Sequence, residues 1–106
     1  MFVRNVSINL KPNTLTEFMK TMESEIIPLL RKQKGFQDEI ILSVPGGREV
    51  VALSFWDQNE SAQDYHSSGY AQVLKILGKF LDGTPHVRTF DVVGSTFQKV
   101  TARFAA

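Results

Sequence analysis

Cysteine is absent from this sequence of 106 residues, and its positive and negative charges nearly balance. Without cysteine there can be no disulfide, no thiol nucleophile and no thiolate metal ligand. The net charge of +1 offers no electrostatic basis for binding nucleic acid. One small basic cluster, Arg31, Lys32 and Lys34, is better explained as cations near the C-terminus of a helix.

Long apolar runs are also missing. No segment approaches the roughly 20 apolar residues that span a bilayer, and the first residues lack the basic and apolar regions of a signal peptide. His66 and His86 are far apart and give no metal-ligand spacing. Pro45-Gly46-Gly47 has the form of a hairpin turn, not of a phosphate-binding loop. The sequence therefore predicts a cytoplasmic protein with no membrane segment and no metal.

What is present is the composition of one ordinary globular domain, with 42% hydrophobic and 22% charged residues. Residues 2–10 alternate as in a strand with one apolar and one mainly polar face. The apolar phase contains one exception, Arg4, and otherwise consists of Phe2, Val6, Ile8 and Leu10. The other phase contains Val3, Asn5, Ser7 and Asn9.

A helix follows this strand. Thr14-Leu15-Thr16-Glu17 has the spacing of a capping box, and an apolar stripe then recurs at helical spacing. Pro28 lies inside the stripe and predicts a kink or an early end. Gly35 fits a left-handed cap at the helix C-terminus. The stripe comprises Leu15, Phe18, Met19, Met22, Ile26, Leu29 and Leu30.

The remaining elements complete a βαββαβ order. Residues 36–44 and 48–56 predict a hairpin, and Asp57 with Glu60 has the spacing of a helix start. Ser67-Ser68-Gly69 interrupts the second helical region, which continues over 70–81, and the last strand is expected at 87–93. This order predicts an α+β, ferredoxin-like fold with a four-stranded antiparallel sheet and helices on one face.

The sheet face without helices needs a cover. We expect this face to carry Val3, Asn5, Ser7 and Asn9 together with Ala52, Ser54 and Trp56, which is a half-apolar surface. Such a face predicts a homodimer in which two sheets meet. The domain is expected to span residues 1–93, and the tail 94–106, which keeps Phe97, Val100 and Phe104, to pack on the partner.

These features together resemble the antibiotic biosynthesis monooxygenase domain of the dimeric α+β barrel superfamily. The resemblance covers roughly residues 2–93 and is carried by the element order, the strand Val50-Val51-Ala52-Leu53-Ser54-Phe55-Trp56, the polar helix start after it, and Tyr70-Ala71-Gln72-Val73-Leu74 before Gly83-Thr84-Pro85. It implies a dimer that needs no cofactor. In the oxygenases of this family the substrate supplies the electrons, while the protein binds it, deprotonates it and admits oxygen.

The resemblance also assigns functional positions of the family to residues of this sequence. Trp56 matches a tryptophan that commonly ends the third strand of the family. A histidine often follows nine residues later, but that position here is Tyr65, and His66 comes one residue after it, about 100° further around a helix. In the haem-degrading branch, an asparagine on the first strand and a tryptophan and histidine on the second helical segment correspond by position to Asn5, Tyr65 and Lys75. None matches cleanly.

Each candidate residue has a structural alternative. His66 and Tyr65 are the catalytic candidates; the alternatives are an exposed histidine at a helix end and amphipathic packing. Trp56 is a candidate for lining the pocket of an aromatic ligand; the alternative is burial in the core at a strand end. Tyr70, like Tyr65, is a candidate for hydrogen bonding to a phenolic substrate; the alternative is amphipathic packing with a solvated hydroxyl. Asn5 and Arg4 are candidates for polar contacts with the ligand. The alternatives are hydrogen bonding at the dimer interface and an ion pair, and Arg88 is weighed in the same way as Arg4.

Three functions follow from this sequence. The first is a cofactor-independent monooxygenase-like enzyme acting on a small aromatic or quinone-type molecule. The second is a non-catalytic barrel that binds small molecules or serves in a stress response. The third, weakest on its residue matches, is a haem-binding or haem-degrading protein.

Overall fold

Four antiparallel strands form a single sheet in the computed structural model, which describes residues 1–96. The strand order is β2-β3-β1-β4, and the predicted α+β, ferredoxin-like architecture is confirmed. The predicted hairpin is also confirmed, since β2 and β3 pair across the turn that contains Gly46. The strands are β1 (Phe2–Asn9), β2 (Phe36–Ser43), β3 (Glu49–Trp56) and β4 (His86–Asp91).

The helices lie on one face of this sheet. The first region continues past Pro28 to Arg31, because a π-helical turn precedes the proline and Pro28 stands in the first turn of the next α-helix, where its missing N–H is not needed. The helical segments are α1 (Leu15–Thr21), the π-turn (Met22–Ile26), α2 (Ile27–Arg31), α3 (Asn59–Ser67), α4 (Gly69–Leu77) and a 3₁₀ turn (Gly78–Phe80).

The first predicted helix start has the expected position, with Thr14 as the N-cap but without the capping bond, and the second start is shifted by one residue. The Thr14 side chain makes no capping bond; its hydroxyl donates instead to the Lys11 carbonyl at 2.7 Å. The second start lies at Gln58 rather than Asp57, again without a side-chain cap. Tertiary packing of the apolar stripe therefore sets these helix starts, as it does for most short helices.

Gly35 adopts the predicted left-handed conformation, with φ of +82°. Its carbonyl accepts a hydrogen bond from the Asp57 amide at 2.9 Å. A Cβ added at Gly35 would collide with the side chains of Asp57 and Ser61. This close approach joins the start of β2 to the junction between β3 and α3.

The core lies between the helices and the sheet face that carries the even-numbered residues of β1. Register places Trp56 opposite Phe2, Ser54 opposite Arg4 and Ala52 opposite Val6. Because directly paired residues share a face, the expectation that Ala52, Ser54 and Trp56 lie on the open face is wrong. The open face of β3 instead carries Val51, Leu53 and Phe55. The buried cluster includes Val6, Ile8, Phe18, Met22, Ile26, Leu30, Val50, Trp56, Tyr65, Val73 and Leu77.

An irregularity in β2 changes which side chains reach this core. Phe36 pairs with Trp56, but the next pair is Asp38 with Phe55, so one extra residue is inserted between them. The bulge reverses the alternation, as bulges do. Glu39 consequently pairs with Ser54 and points toward the helices.

The end of the described chain bears on two further predictions. The last strand begins at His86 and ends at Asp91, close to the expected 87–93. Most of the tail expected to pack on a partner lies outside the described residues, since these stop at 96. Within them no helix is long and apolar enough to cross a membrane. The domain boundary and the cytoplasmic location stay predictions.

Candidate functional site

A small cavity, here called the inner cavity, lies between the middle of the sheet and helices α3 and α4. Its volume is about 40 Å³, room for one or a few water-sized groups. Apolar side chains such as Val6, Ile26 and Leu77 form most of its wall. The polar lining consists of Arg4, Glu39, Ser54, Tyr65 and Tyr70. The cavity is thus an apolar space with a few converging polar groups, as small-molecule sites are.

Arg4 occupies the centre of this arrangement. It is only 3% exposed, because β1 places it in the helix-facing phase between Phe2 and Val6. Its guanidinium carbon lies 4.4 Å from the ring centroid of Tyr70 and 5.1 Å from that of Tyr65. Its Nη2 lies 3.0 Å from Nδ1 of His66. Two aromatic faces and an imidazole therefore hold the cation where a carboxylate partner would ordinarily be needed.

Arg4 also borders a second, open depression, here called the outer groove. This groove has a volume of about 490 Å³ and includes Phe2, His66, Val87 and Thr89 in its lining. The rings of His66 and Tyr70 stack at 5.3 Å between centroids. Arg4 lines both spaces, and its contacts with His66 and Tyr70 place these three side chains together at the boundary between them.

Trp56 lies behind this boundary. It is fully buried and stacks on Tyr65 with centroids 5.2 Å apart. Its indole N–H donates to the Ser54 hydroxyl at 2.9 Å, and its other side meets the edge of Phe36. Trp56 therefore supports Tyr65 from the core and is absent from the cavity lining.

Tyr65 and Tyr70 present hydroxyl groups that stay protonated near neutral pH. Burial raises the pKa of Tyr65 far above its ordinary value, and the nearby Arg4 charge only partly offsets this. Burial also raises the pKa of Tyr70, against the same opposing influence of Arg4. Both phenols can therefore donate hydrogen bonds, but neither is suited to act as a base.

His66 lies at the exposed rim, one position beyond the buried Tyr65 on α3. A guanidinium has only donors, so Nδ1 of His66 must accept the hydrogen bond from Arg4. The neutral ring then carries its proton on Nε2. This hydrogen bond makes His66 a positioning partner of Arg4 in this geometry.

Asn5 is the one predicted site residue that the structure places apart from the others. It pairs with Leu53 and with Arg88 on the open face of the sheet. Its side-chain oxygen accepts a hydrogen bond from Ser7 at 3.5 Å. The structure thus brings together Arg4, Tyr65, His66 and Tyr70, with Trp56 behind them, and leaves Asn5 on the opposite face.

Glu39 is the functional candidate that the sequence did not reveal. Its Oε1 is buried, with no hydrogen-bond partner among residues 1–96. Burial raises its pKa to about 8, although the Arg4 charge lowers it in part. Regular alternation from Phe36 would turn Glu39 to the open face, and the sequence carries no clear signal for the bulge that reverses this.

Within residues 1–96 there is no group of three or more side chains able to hold a metal ion.

Comparison with known proteins gives matches in structure only. No protein-family model matches the chain, and no curated protein matches it in sequence. A monooxygenase of Streptomyces coelicolor, solved with the ligand nanaomycin D, superposes with a TM-score of 0.76 at 17% identity over 92% of each chain. A Nitrosomonas europaea protein provisionally named an antibiotic biosynthesis monooxygenase gives 0.71 at 12% identity, over 89% of this chain and all (100%) of that one.

A third similar structure binds a different ligand. A point mutant of MhuD, solved with two manganese protoporphyrin IX molecules per active site, gives a TM-score of 0.72 at 16% identity, over 92% of this chain and 100% of that one. Identities this low establish a shared fold and leave the reaction open, since one fold hosts many functions. At the level of the fold the resemblance drawn from the sequence is confirmed: this chain has the architecture of the antibiotic biosynthesis monooxygenase proteins.

Proposed function

We propose that this protein is a cofactor-independent monooxygenase-like enzyme acting on a hydroxylated aromatic or quinone-type small molecule. The observation that supports this most is the buried Arg4, whose cation has two tyrosine faces and His66 as neighbours but no carboxylate bonded to it in residues 1–96. A buried cation without a paired anion is costly. An anionic oxygen on a bound ligand would offset that cost.

The reaction needs no electron source beyond the substrate. A methylene flanked by hydroxylated rings reacts with O₂; the carbon becomes a carbonyl, one oxygen atom enters it, and the other leaves as water with the two methylene hydrogens. Arg4 would stabilise the substrate anion that reacts with O₂. Tyr65 and Tyr70 would donate hydrogen bonds to substrate oxygens, with Trp56 holding Tyr65 in place and His66 orienting Arg4.

Entry of a whole ring requires movement. At about 40 Å³ the inner cavity is far below the several hundred Å³ of ordinary ligand sites. The outer groove is larger and borders the same arginine. Arg4, His66 and Tyr70 form the boundary between the inner cavity and the outer groove. These side chains therefore have to move apart before a ring can pass from the groove into the cavity. Exposed His66 and half-buried Tyr70 are the parts of that boundary best placed to move.

A second candidate function is a non-catalytic protein that binds small molecules, which the apolar lining of the inner cavity and its few converging polar groups support equally well. Such a protein would use the same Arg4 and tyrosines to hold its ligand without oxygen chemistry. Saturable binding with no oxygen uptake is the result that would favour it.

Haem does not fit this geometry. His66, the histidine at the site, already accepts the Arg4 hydrogen bond through Nδ1, so the ring nitrogen that carries a lone pair is not free to bind iron. The asparagine expected for the haem-degrading branch, Asn5, lies on the other side of the sheet. We therefore assign no step to haem.

A homodimer completes the proposal. The open face carries apolar side chains on all four strands, including Leu42 on β2, which is 50% exposed, and Phe90 on β4, which is 39% exposed. Exposed apolar surface of this kind commonly marks an interface. A second copy laid face to face would cover it and leave the inner cavity on the far side of each sheet.

Oxygen consumption with a panel of hydroquinols and anthrones tests the enzymatic proposal. We expect turnover by the wild type and a loss of about 100-fold or more in Arg4→Gln, because one preorganised charge stabilises the reacting anion by roughly 3–4 kcal/mol. Arg48→Gln, which removes an exposed arginine on the hairpin 56% accessible at its side chain, is the matched control. Absence of turnover with every substrate, or equal turnover in Arg4→Gln and the wild type, would overturn the proposal.

A further inference from the structure

One row of side chains crosses the sheet beneath the inner cavity. Glu39 on β2 pairs with Ser54 on β3, and Ser54 pairs with Arg4 on β1. The Cα atoms of neighbouring residues in such a row are about 5 Å apart. The Cα atoms of Glu39 and Arg4 are therefore about 10 Å apart, with Ser54 between them. No ion pair joins Glu39 to Arg4 within residues 1–96. An acid and a cation thus face the same small space from either side.

The acid is neutral near neutral pH. Burial raises the pKa of Glu39 to about 8, against the opposing influence of Arg4. The other titratable groups facing it are Tyr65 from α3 and Tyr70 from α4, which stay protonated. The π-turn and α2 contribute only apolar neighbours, Met22, Ile26 and Leu30. Glu39 therefore presents an O–H donor to the inner cavity, and the charge that faces this cavity is the positive charge of Arg4.

Among the side chains of residues 1–96 that line the cavity, Glu39 is the best suited to exchange a proton near neutral pH. The tyrosines hold theirs too tightly, and the Nδ1 of His66 is engaged by Arg4. Glu39 Oε1, in contrast, is buried and without a hydrogen-bond partner among the described residues. A buried polar oxygen left in this state would be satisfied by a ligand or a water molecule.

We propose that the site selects an acidic phenol or enol bound as its oxyanion, with the Arg4 guanidinium as counter-ion and the protonated Glu39 carboxyl as hydrogen-bond donor. A neutral phenol meeting ionised Glu39 gives the same complex: its O–H bond breaks, the proton joins the carboxylate, and the electron pair stays on the phenolate oxygen. This inference rests on the proposed small-molecule site but does not require oxygen transfer, so binding alone tests it.

The charges predict that the affinity for a phenolate depends on pH through the ionisation of Glu39. When Glu39 ionises, the site loses its net positive charge and its donor, and a bound oxyanion would face a second anion. Affinity for a phenolate should therefore be highest between the pKa of the ligand and that of Glu39. Above the pKa of Glu39 it should fall by up to about tenfold per pH unit, because each binding event then requires uptake of one proton.

Absorbance titrations with 4-nitrophenol and with alizarin, at a series of pH values from acid to alkaline, measure this directly. Both are phenols whose ionised form has its own visible absorbance. In the wild type we expect the bound ligand to absorb as the phenolate and the affinity to fall on the alkaline side. This measurement uses the unmodified protein and does not depend on any variant folding.

The variants separate the two roles. Glu39→Gln keeps an N–H donor but cannot ionise, so binding should persist and the alkaline loss should disappear. Arg4→Gln should weaken phenolate binding by about tenfold or more. Glu49→Gln, at an exposed strand carboxylate, should behave as the wild type. Binding without a phenolate spectrum, no binding of either probe, or an unchanged alkaline loss in folded Glu39→Gln would overturn the inference. Binding as expected without oxygen uptake would leave it standing and refute only the enzymatic proposal.

Discussion

The two faces of the sheet differ in what they do with polar residues. On the helix-covered face the polar groups are few and they converge: the buried Arg4 and Ser54 and the half-buried Glu39 form one row under the inner cavity. On the open face Asn5 and Ser7 lie among apolar neighbours, where their side chains bond to each other. A polar group is costly to bury, so the converging set with an unpaired Glu39 oxygen is more informative about function than Asn5 and Ser7, which bond to each other.

The apolar residues show the complementary difference. Large side chains on the helix face are sealed, with Trp56 and Phe18 fully buried. The open face leaves Leu42 and Phe90 partly in solvent. The large apolar side chains of the helix face are therefore buried within one chain, while the open face leaves apolar side chains in contact with solvent. Changes on the first face should alter folding, and changes on the second should alter assembly.

The largest expected effect is on folding, from Trp56→Ala. Removing this fully buried ring leaves a cavity beneath Tyr65 and an unpaired Ser54 hydroxyl, at a cost of about 3–5 kcal/mol in the free energy of unfolding. Urea denaturation followed by far-UV circular dichroism measures it. Leu15→Ala, at an apolar side chain 40% exposed on α1, is the control and should cost less than about 1 kcal/mol. Equal losses of unfolding free energy in the two variants would show that burial of Trp56 does not stabilise this face more than an exposed side chain does.

The open face should respond in assembly. The double variant Leu42→Lys, Phe90→Lys places two charges on the proposed dimer interface and should weaken self-association by about 2–4 kcal/mol, or roughly 30- to 1000-fold in Kd. Sedimentation velocity across a concentration series gives the mass and the Kd. Leu15→Lys, with the same chemistry on a helix, should leave the dimer intact. A wild type that stays monomeric throughout the series would contradict the proposed interface.

Features that depend on long periodic patterns could be predicted from the sequence, while features that depend on single residues could not. Alternation along residues 2–10 and the apolar stripe from Phe18 to Leu30 are long patterns, and the fold followed from them. The face of β3 was harder to assign, because Val50 to Phe55 is apolar in both phases and only the register with β1 decides it. Single residues could not settle that register.

The site depended on features that local patterns do not encode. Arg4 was recognisable as a charged exception inside an apolar phase, and the structure places it on the helix-covered face with the rest of that phase. Glu39 was not recognisable, because a bulge of one residue after Phe36 reverses its face. Thr14 with Glu17 matched a capping box, yet Thr14 bonds to Lys11 instead. Local spacing permits such contacts, and the tertiary packing selects among them.

Glu39 gives the smallest of the expected effects and the one that most directly ties the helix face to its chemistry. Its pKa in the folded protein is about 8, against an ordinary value of 4.5. Between these values the folded state holds a proton that the unfolded state has released. Stability should therefore fall as pH rises through this window and level off above it. From pH 6 to pH 7.5 the loss should be about 1–2 kcal/mol.

Urea denaturation at closely spaced pH values, in the absence of ligand, measures this slope. Glu39→Gln should remove most of it, because an amide binds no proton in either state, while Glu49→Gln at the exposed strand end should keep it. The comparison is internal to one sheet: two glutamates, one turned inward by the bulge and one in solvent, are changed in the same way. A slope that survives in Glu39→Gln would mean that other groups produce it, and that the buried carboxyl opposite Arg4 ionises as an ordinary one does.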